Sequence, residues 1–162
     1  MEEPRIVEMA PKRLIGMNLR MSLAKNRTYE IWSQLMPRRK EIGSPSERKY
    51  SIQVYDPGFD QNTFDHETVF TKWGALEAPQ NGLVPEGMEE YHLEGGLYAV
   101  FTHRGPQSSF HRTMAYIYGK WIHESEYKLD ERYQFEVMDE RYLGPLSDMS
   151  EEEVWIPIVR KS

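Results

Sequence analysis

Residues 50–56, Tyr-Ser-Ile-Gln-Val-Tyr-Asp, and residues 133–139, Tyr-Gln-Phe-Glu-Val-Met-Asp, decide the fold. Both alternate apolar and polar positions with period two, as a strand with one buried face does. They superimpose at an offset of 83, with three of seven positions identical. The same offset lays Leu14 on Leu97, and Trp73 falls on Trp155 one residue short of it. A match this short arises by chance in many chains, so the order of the flanking elements has to carry the argument.

That order repeats. Ahead of the first stretch, residues 14–19 (Leu-Ile-Gly-Met-Asn-Leu) read as a strand. A helix follows, with Thr28 as the expected N-cap and Ile31, Trp32, Leu35 and Met36 on one face. Pro37 is expected to kink or end it and Gly43 to close it. After residues 50–55, Asp56-Pro57-Gly58 is a turn and residues 73–76 form a fourth element, a strand. In the second half, residues 97–102 (Leu-Tyr-Ala-Val-Phe-Thr) are a strand broken by Gly105-Pro106. Ser108 or Ser109 can cap a helix with an apolar stripe of Phe110, Met114, Ile117, Tyr118, Trp121 and Ile122. Residues 133–138 and 154–158 are the last two strands. The expected fold is therefore α+β: a duplicated strand–helix–strand–strand unit, with halves of about 1–80 and 90–162. Its pseudo-twofold antiparallel sheet carries two helices on one face and a ligand groove between the halves.

Alternation assigns the faces. Ile52, Val54, Phe135 and Val137 are expected under the helices, which places Gln53, Tyr55, Glu136 and Met138 on the open face. With Val154, Ile156 and Ile158 under the helices, Trp155 joins the open face, and Trp73 joins it by symmetry. The expected groove has walls of Trp73, Trp155, Tyr55 and Phe101, adaptable filling from Met17 and Met138, and Gln53 and Glu136 near the pseudo-dyad. Aromatic faces attract a cation, and a buried carboxylate at position 136 supplies the longer-range attraction. The same residues also read as ordinary sheet, with Glu136 facing solvent and the tryptophans in the core.

Composition narrows the function classes. The 162 residues carry 20 Lys+Arg and 26 Asp+Glu, a net charge of −6, which argues against direct binding to a nucleic-acid backbone. The absence of cysteine removes disulfides, zinc thiolates and thiol nucleophiles. No apolar run approaches the roughly 20 residues that span a bilayer, and the N-terminus lacks a signal-peptide pattern, so a cytoplasmic protein with no membrane partner is expected. The five histidines form no compact metal motif, although His103 and His111 flank Gly105-Pro106, and neither a metal nor a cofactor is expected. Arg38-Arg39-Lys40 reads as a solvated helix end, and Glu151-Glu152-Glu153 as a solvated approach to the last strand. In the long connection from Pro57 to Lys72, Phe59 and Phe64 either cap the groove or pack over a sheet edge.

Residues 97–106, Leu-Tyr-Ala-Val-Phe-Thr-His-Arg-Gly-Pro, resemble the strand-to-helix signature of GyrI-like effector-binding domains, modules also found in AraC-type and MerR-type regulators. Residues 118–122 with Ser125 and Tyr127 resemble that family's helix end, and Phe135-Glu136 and residues 155–158 its last two strands. Residues 32–42 and Thr71-Lys72-Trp73 resemble its first half. His123 and Glu126 depart from the pattern, where Pro and Gly are usual. The resemblance implies a stand-alone module for amphiphilic, cationic small molecules, with Glu136 at the position that contacts cationic ligands in multidrug-binding members. Two other activities occur in the family. Some members hydrolyse reactive compounds with a Glu and a Tyr, for which Tyr55 is the expected Tyr here, and the namesake inhibits gyrase as a protein partner. A binding module is favoured over an enzyme, as a monomer or a homodimer. Residues 1–162 read as one such domain, with no separate DNA-binding domain.

Overall fold

Period-two alternation makes the strands, and a left-handed glycine ends the first helical segment. The computed structural model describes residues 2–162, with Gln61 described by its backbone alone. Among the described residues, nine strands form antiparallel ladders, grouped in two compact units. One unit spans Lys12–Leu93; the other combines the segment up to Pro11 with Glu94–Ser162. The protein is α+β, and each unit is strands covered on one face by helix.

The Lys12–Leu93 unit orders its strands β3 (Lys49–Val54), β4 (Phe70–Glu77), β2 (Lys12–Met21) and β5 (Glu89–Leu93). Helix α1 (Thr28–Leu35) runs through a 3₁₀ turn at Met36–Arg38 into α2 (Arg39–Ile42). Pro37 sits in that turn, where its missing N–H costs nothing, and Gly43 closes α2 at φ 69°. Thr28 is not the N-cap. It is already helical, and its N–H is satisfied by the side chain of Asn26 at 2.9 Å. The core joins Ile15, Leu35, Ile42, Leu76 and Met88, so the helix covers the face of β4 that carries Leu76 and Gly74. A Cβ at Gly74 would lie 2.7 Å from Ile31 Cγ2, so glycine lets α1 approach the strand closely.

The second unit orders β1 (Arg5–Met9), β6 (Gly96–Arg104), β9 (Glu151–Arg160) and β8 (Phe135–Met138), and β7 (Tyr127–Leu129) extends beside the end of β9. Strands β1, β5 and β7 were not anticipated. Short, charged and edge-placed, Arg5–Met9 and Glu89–Leu93 carry weak apolar signals. Strand β1 ladders onto β6 and β5 onto β2, so each repeat's leading strand joins the other repeat's first main strand. Helix α3 (Phe110–Tyr116) passes through a π-helical turn at Ile117–Trp121 into α4 (Ile122–Glu124). Ser109 occupies the N-cap position, but its hydroxyl donates to the Pro106 carbonyl rather than capping the helix. Ile117, Trp121 and Ile122 pack on Ala99, Phe101, Val154, Ile156 and Ile158.

Candidate functional site

The register of β8 on β9 fixes where Glu136 points. Phe135 pairs with Trp155, Glu136 with Val154 and Val137 with Glu153, and directly opposed residues share a face. Val154 lies in the core beneath α3 and the π turn, so Glu136 is on the helix side. Phe135 stacks on Trp155 with ring centroids 5.4 Å apart, and Tyr98 meets both edge-on. In the other unit Ile52 pairs with Trp73, and Gln53 with Lys72. The expected faces are therefore reversed for β3 and β8: Ile52, Val54, Phe135 and Val137 lie away from the helices. Both faces of these strands are covered, so buried apolar residues did not mark the helix side. Each tryptophan remains on the face away from its helix, while Glu136 and Met138, like Gln53 and Tyr55, lie on the helix side of their own units. The expected single surface of Trp, Met and Glu is thus divided between two faces. Phe101 is also on the helix side, but it is core, 1% exposed and packed edge-on against Trp121. Met17 borders the α1 cluster, half-buried.

Glu136 is half-buried, not buried. The buried carboxylate on its side of the sheet is Glu152, at 6% exposure, two residues along β9 from Val154. Tyr142 joins them through the connection after β8. Its N–H donates to the Asp139 carbonyl at 3.0 Å, Glu151 N–H donates to Arg141 O, and Leu143 N–H donates to Ser150 Oγ, which pins the connection against β9. Burial holds the Tyr142 hydroxyl above the usual phenol range, and the charges of Glu152 and then Glu136 add to this. Tyr142 thus lies within electrostatic reach of both carboxylates. Tyr118, on the π turn, donates to the Gln134 side-chain carbonyl at the start of the same strand face. Behind the pair, His103 is 3% exposed. Its Nε2–H donates to the Pro106 carbonyl at 3.2 Å, and Nδ1 lies 2.6 Å from the Thr113 hydroxyl, which ties α3 to β6.

Residues 151–153 are not a solvated approach. They are the first three residues of β9, and Glu152 and Glu153 are buried. Glu153, on the face away from the helices, is neutralised by Arg5 at 2.8 Å and accepts from Trp155 Nε1 at 3.0 Å. Charge runs mark solvent only where no partner waits, and Arg5, from a distant strand, is such a partner. Glu152 and Tyr142 were missed for related reasons. Alternation through Glu-Glu-Glu gives no contrast, and a tyrosine after a turn carries no periodic signal.

In the Lys12–Leu93 unit, Gln53 Nε2 donates to the Tyr55 hydroxyl at 2.8 Å, and Lys72 Nζ reaches Gln53 Oε1 at 3.5 Å. Tyr55 stacks on Phe59 with centroids 4.0 Å apart and meets Phe64 and Phe70 edge-on. The long connection thus folds Phe59 and Phe64 over Tyr55. A cleft of about 230 Å³ lies within that connection, lined by Asp56, Phe59, Phe64 and Thr68. Among the described residues there is no cluster of three or more His, Asp or Glu placed to hold a metal, and no helix is long and apolar enough to cross a membrane.

Comparison with known proteins gives the same architecture. The transcriptional regulator BrlR of Pseudomonas aeruginosa is 28% identical over 156 residues, covering 95% of this chain and 54% of that protein. The chain therefore spans about half the length of this curated relative. Among solved structures, SAV2435 bound to tetraphenylphosphonium has a TM-score of 0.67 at 12% identity, covering 98% of this chain and 94% of that one. The EcmrR C-terminal domain has a TM-score of 0.68 at 10% identity, covering 98% of both chains. A hydrolase encoded by lin2189 from Listeria innocua has a TM-score of 0.67 at 12% identity, covering 97% of this chain and 92% of that one. At these identities the structures speak for the fold. The family model of the GyrI-like small molecule binding domain matches residues 2–159, and the chain belongs to that family.

Proposed function

We propose that this small-molecule binding domain takes amphiphilic cations, with Glu136 as their charge partner. The carrying observation is that the register of β8 on β9 sets Glu136 on the same helix-side face as the buried Glu152, with the charges of both felt at Tyr142. Two carboxylates on one face of the sheet make a negative potential, and a lipophilic cation meets it at little desolvation cost to itself. Met138, 8% exposed on the same strand face, supplies an adaptable apolar contact. Gln53, Tyr55 and Met17 are the corresponding candidates on the other unit. SAV2435, bound to a phosphonium cation, supports the reading by analogy of fold. The test is titration with tetraphenylphosphonium and with neutral triphenylphosphine oxide. Glu136→Gln weakens the cation about tenfold or more, the equivalent of about 1.4 kcal/mol, and leaves the neutral compound within twofold. Equal loss for both, with circular dichroism unchanged, refutes the charge role.

A second reading, hydrolysis of reactive compounds, is favoured by Tyr142. A phenol within electrostatic reach of two carboxylates can donate to a developing oxyanion while Glu136 takes a proton from water. Turnover of an activated ester that is lost in both Glu136→Gln and Tyr142→Phe supports it. Binding without turnover leaves the domain a receptor.

A further inference from the structure

The helix side of the Lys12–Leu93 unit holds a buried cation. Lys72 is 6% exposed, in the middle of β4, between Leu19 of β2 and Gln53 of β3. Phe70 and Gly74 flank it along the strand on the same face. Among the described residues its ammonium forms no ion pair, and its hydrogen bond is the 3.5 Å contact to Gln53 Oε1. That amide is itself oriented, because its Nε2 donates to the Tyr55 hydroxyl. A charged amine in such a place gives up most of its hydration, of which one long contact to a neutral amide returns little. An anion beside it would recover more, through charge-assisted hydrogen bonds in a region of low dielectric. The neighbours suit an anion with an aromatic body: Tyr55 is half-buried beside Gln53, and Leu19 and Met17 are half-buried along β2.

We propose that Lys72, with Gln53 and Tyr55, is a subsite for an organic anion, a carboxylate or sulfonate attached to an aromatic body. This deepens the small-molecule reading and rests on it: the ligand range extends to anionic or zwitterionic amphiphiles. It requires no cation at Glu136, so the two claims fail separately.

The probes are 8-anilinonaphthalene-1-sulfonate and its uncharged relative N-phenyl-1-naphthylamine, titrated by fluorescence into the whole chain. The sulfonate is expected to bind at least tenfold more tightly than the neutral amine. Lys72→Met removes that preference and leaves the neutral dye within twofold. Lys72→Arg keeps the preference, and tetraphenylphosphonium binding is unaffected by either change. In the unaltered protein, amine modification by acetic anhydride read by peptide mapping shows Lys72 protected when the sulfonate is bound, which tests the site even if Lys72→Met fails to fold. The proposal is overturned if the sulfonate has no advantage over the neutral dye. It is overturned equally if a folded Lys72→Met keeps the preference, or if Lys72 is modified at the same rate with and without the sulfonate.

Discussion

The two units share a frame and differ in what they place on it. Ile52 opposite Trp73 corresponds to Phe135 opposite Trp155, one residue apart in offset, and in both units the tryptophan lies away from the helix. On the helix side the correspondence is Gln53 opposite Lys72 and Glu136 opposite Val154. One half thus presents an amide and an ammonium, the other a carboxylate with Glu152 and Tyr142 beside it. A duplicated ladder conserves geometry because a one-residue slip turns every side chain to the wrong face. The polar residues are under no such constraint, and here the charge has diverged while the register has not.

The frame yields the largest expected effects. Trp155 is buried, stacks on Phe135, meets Tyr98 and donates to Glu153, whereas Trp73 has a single ring neighbour, Tyr91 at 5.2 Å, among the ring contacts within its unit. Trp155→Ala is expected to cost about 3–5 kcal/mol in urea unfolding, with the lost Trp155 Nε1 hydrogen bond to Glu153 adding to the cavity. Trp73→Ala is expected to cost less. Equal losses would break the claim that the aromatic layer is more developed in the second unit.

The helix seats differ as well. Helix α1 sits against Gly74, while the matching position in the other unit is Ile156, buried under Trp121 and Ile117. Gly74→Val places a Cβ 2.7 Å from Ile31 Cγ2 and is expected to destabilise by about 1–3 kcal/mol. An unchanged midpoint would mean that α1 moves freely on its sheet and that the close seat is incidental.

How much of this was legible in the sequence follows from which signals are local. The repeat, the α+β class, the Pro37 joint and the Gly43 cap were readable, because alternation, a missing N–H and a left-handed residue act within a few positions. The family was readable from four motifs in order. The face of β3 and β8 was not, since with both sides covered, burial stops distinguishing them. Alternation singles out Glu136 on its strand but says nothing of the residues that share its side: Tyr142 arrives by a turn and Glu152 hides in an acidic run. Nothing in the Thr-Lys-Trp motif marks Lys72 as buried, because its sequestration comes from the strands on either side of β4. Strands β1 and β5 were invisible because an edge strand takes its meaning from the strand it joins.

The smallest expected effect concerns acid, and it separates two aspartate–arginine pairs, one in each unit. Arg132 donates to Asp130 at 2.5 Å, lies over the Tyr98 ring at 4.5 Å, and binds the carbonyls of Leu97, Gly95 and Ile158. Its side chain is 13% exposed. Arg20 grips Asp56 with two hydrogen bonds, at 2.6 and 2.7 Å, but both side chains are about half exposed. Each arginine holds its aspartate below the usual carboxylate range, chiefly by hydrogen bonding to the ionised form. A depressed folded-state pKa stabilises the fold above the unfolded value, about 3.9, and that stability is lost as the pH falls through the folded value. Asp130→Asn should therefore lower the urea midpoint at pH 7 and flatten its decline below about pH 4. Asp56→Asn should do less, and its effect should shrink in 0.5 M salt, because an exposed pair is screened by water and ions. If the two variants respond alike to acid and to salt, the Arg132 clamp is no more than a surface pair. If Asp130→Asn alone resists salt, that clamp anchors the ends of β6 and β9, the strands on which Glu152 and its neighbours are carried.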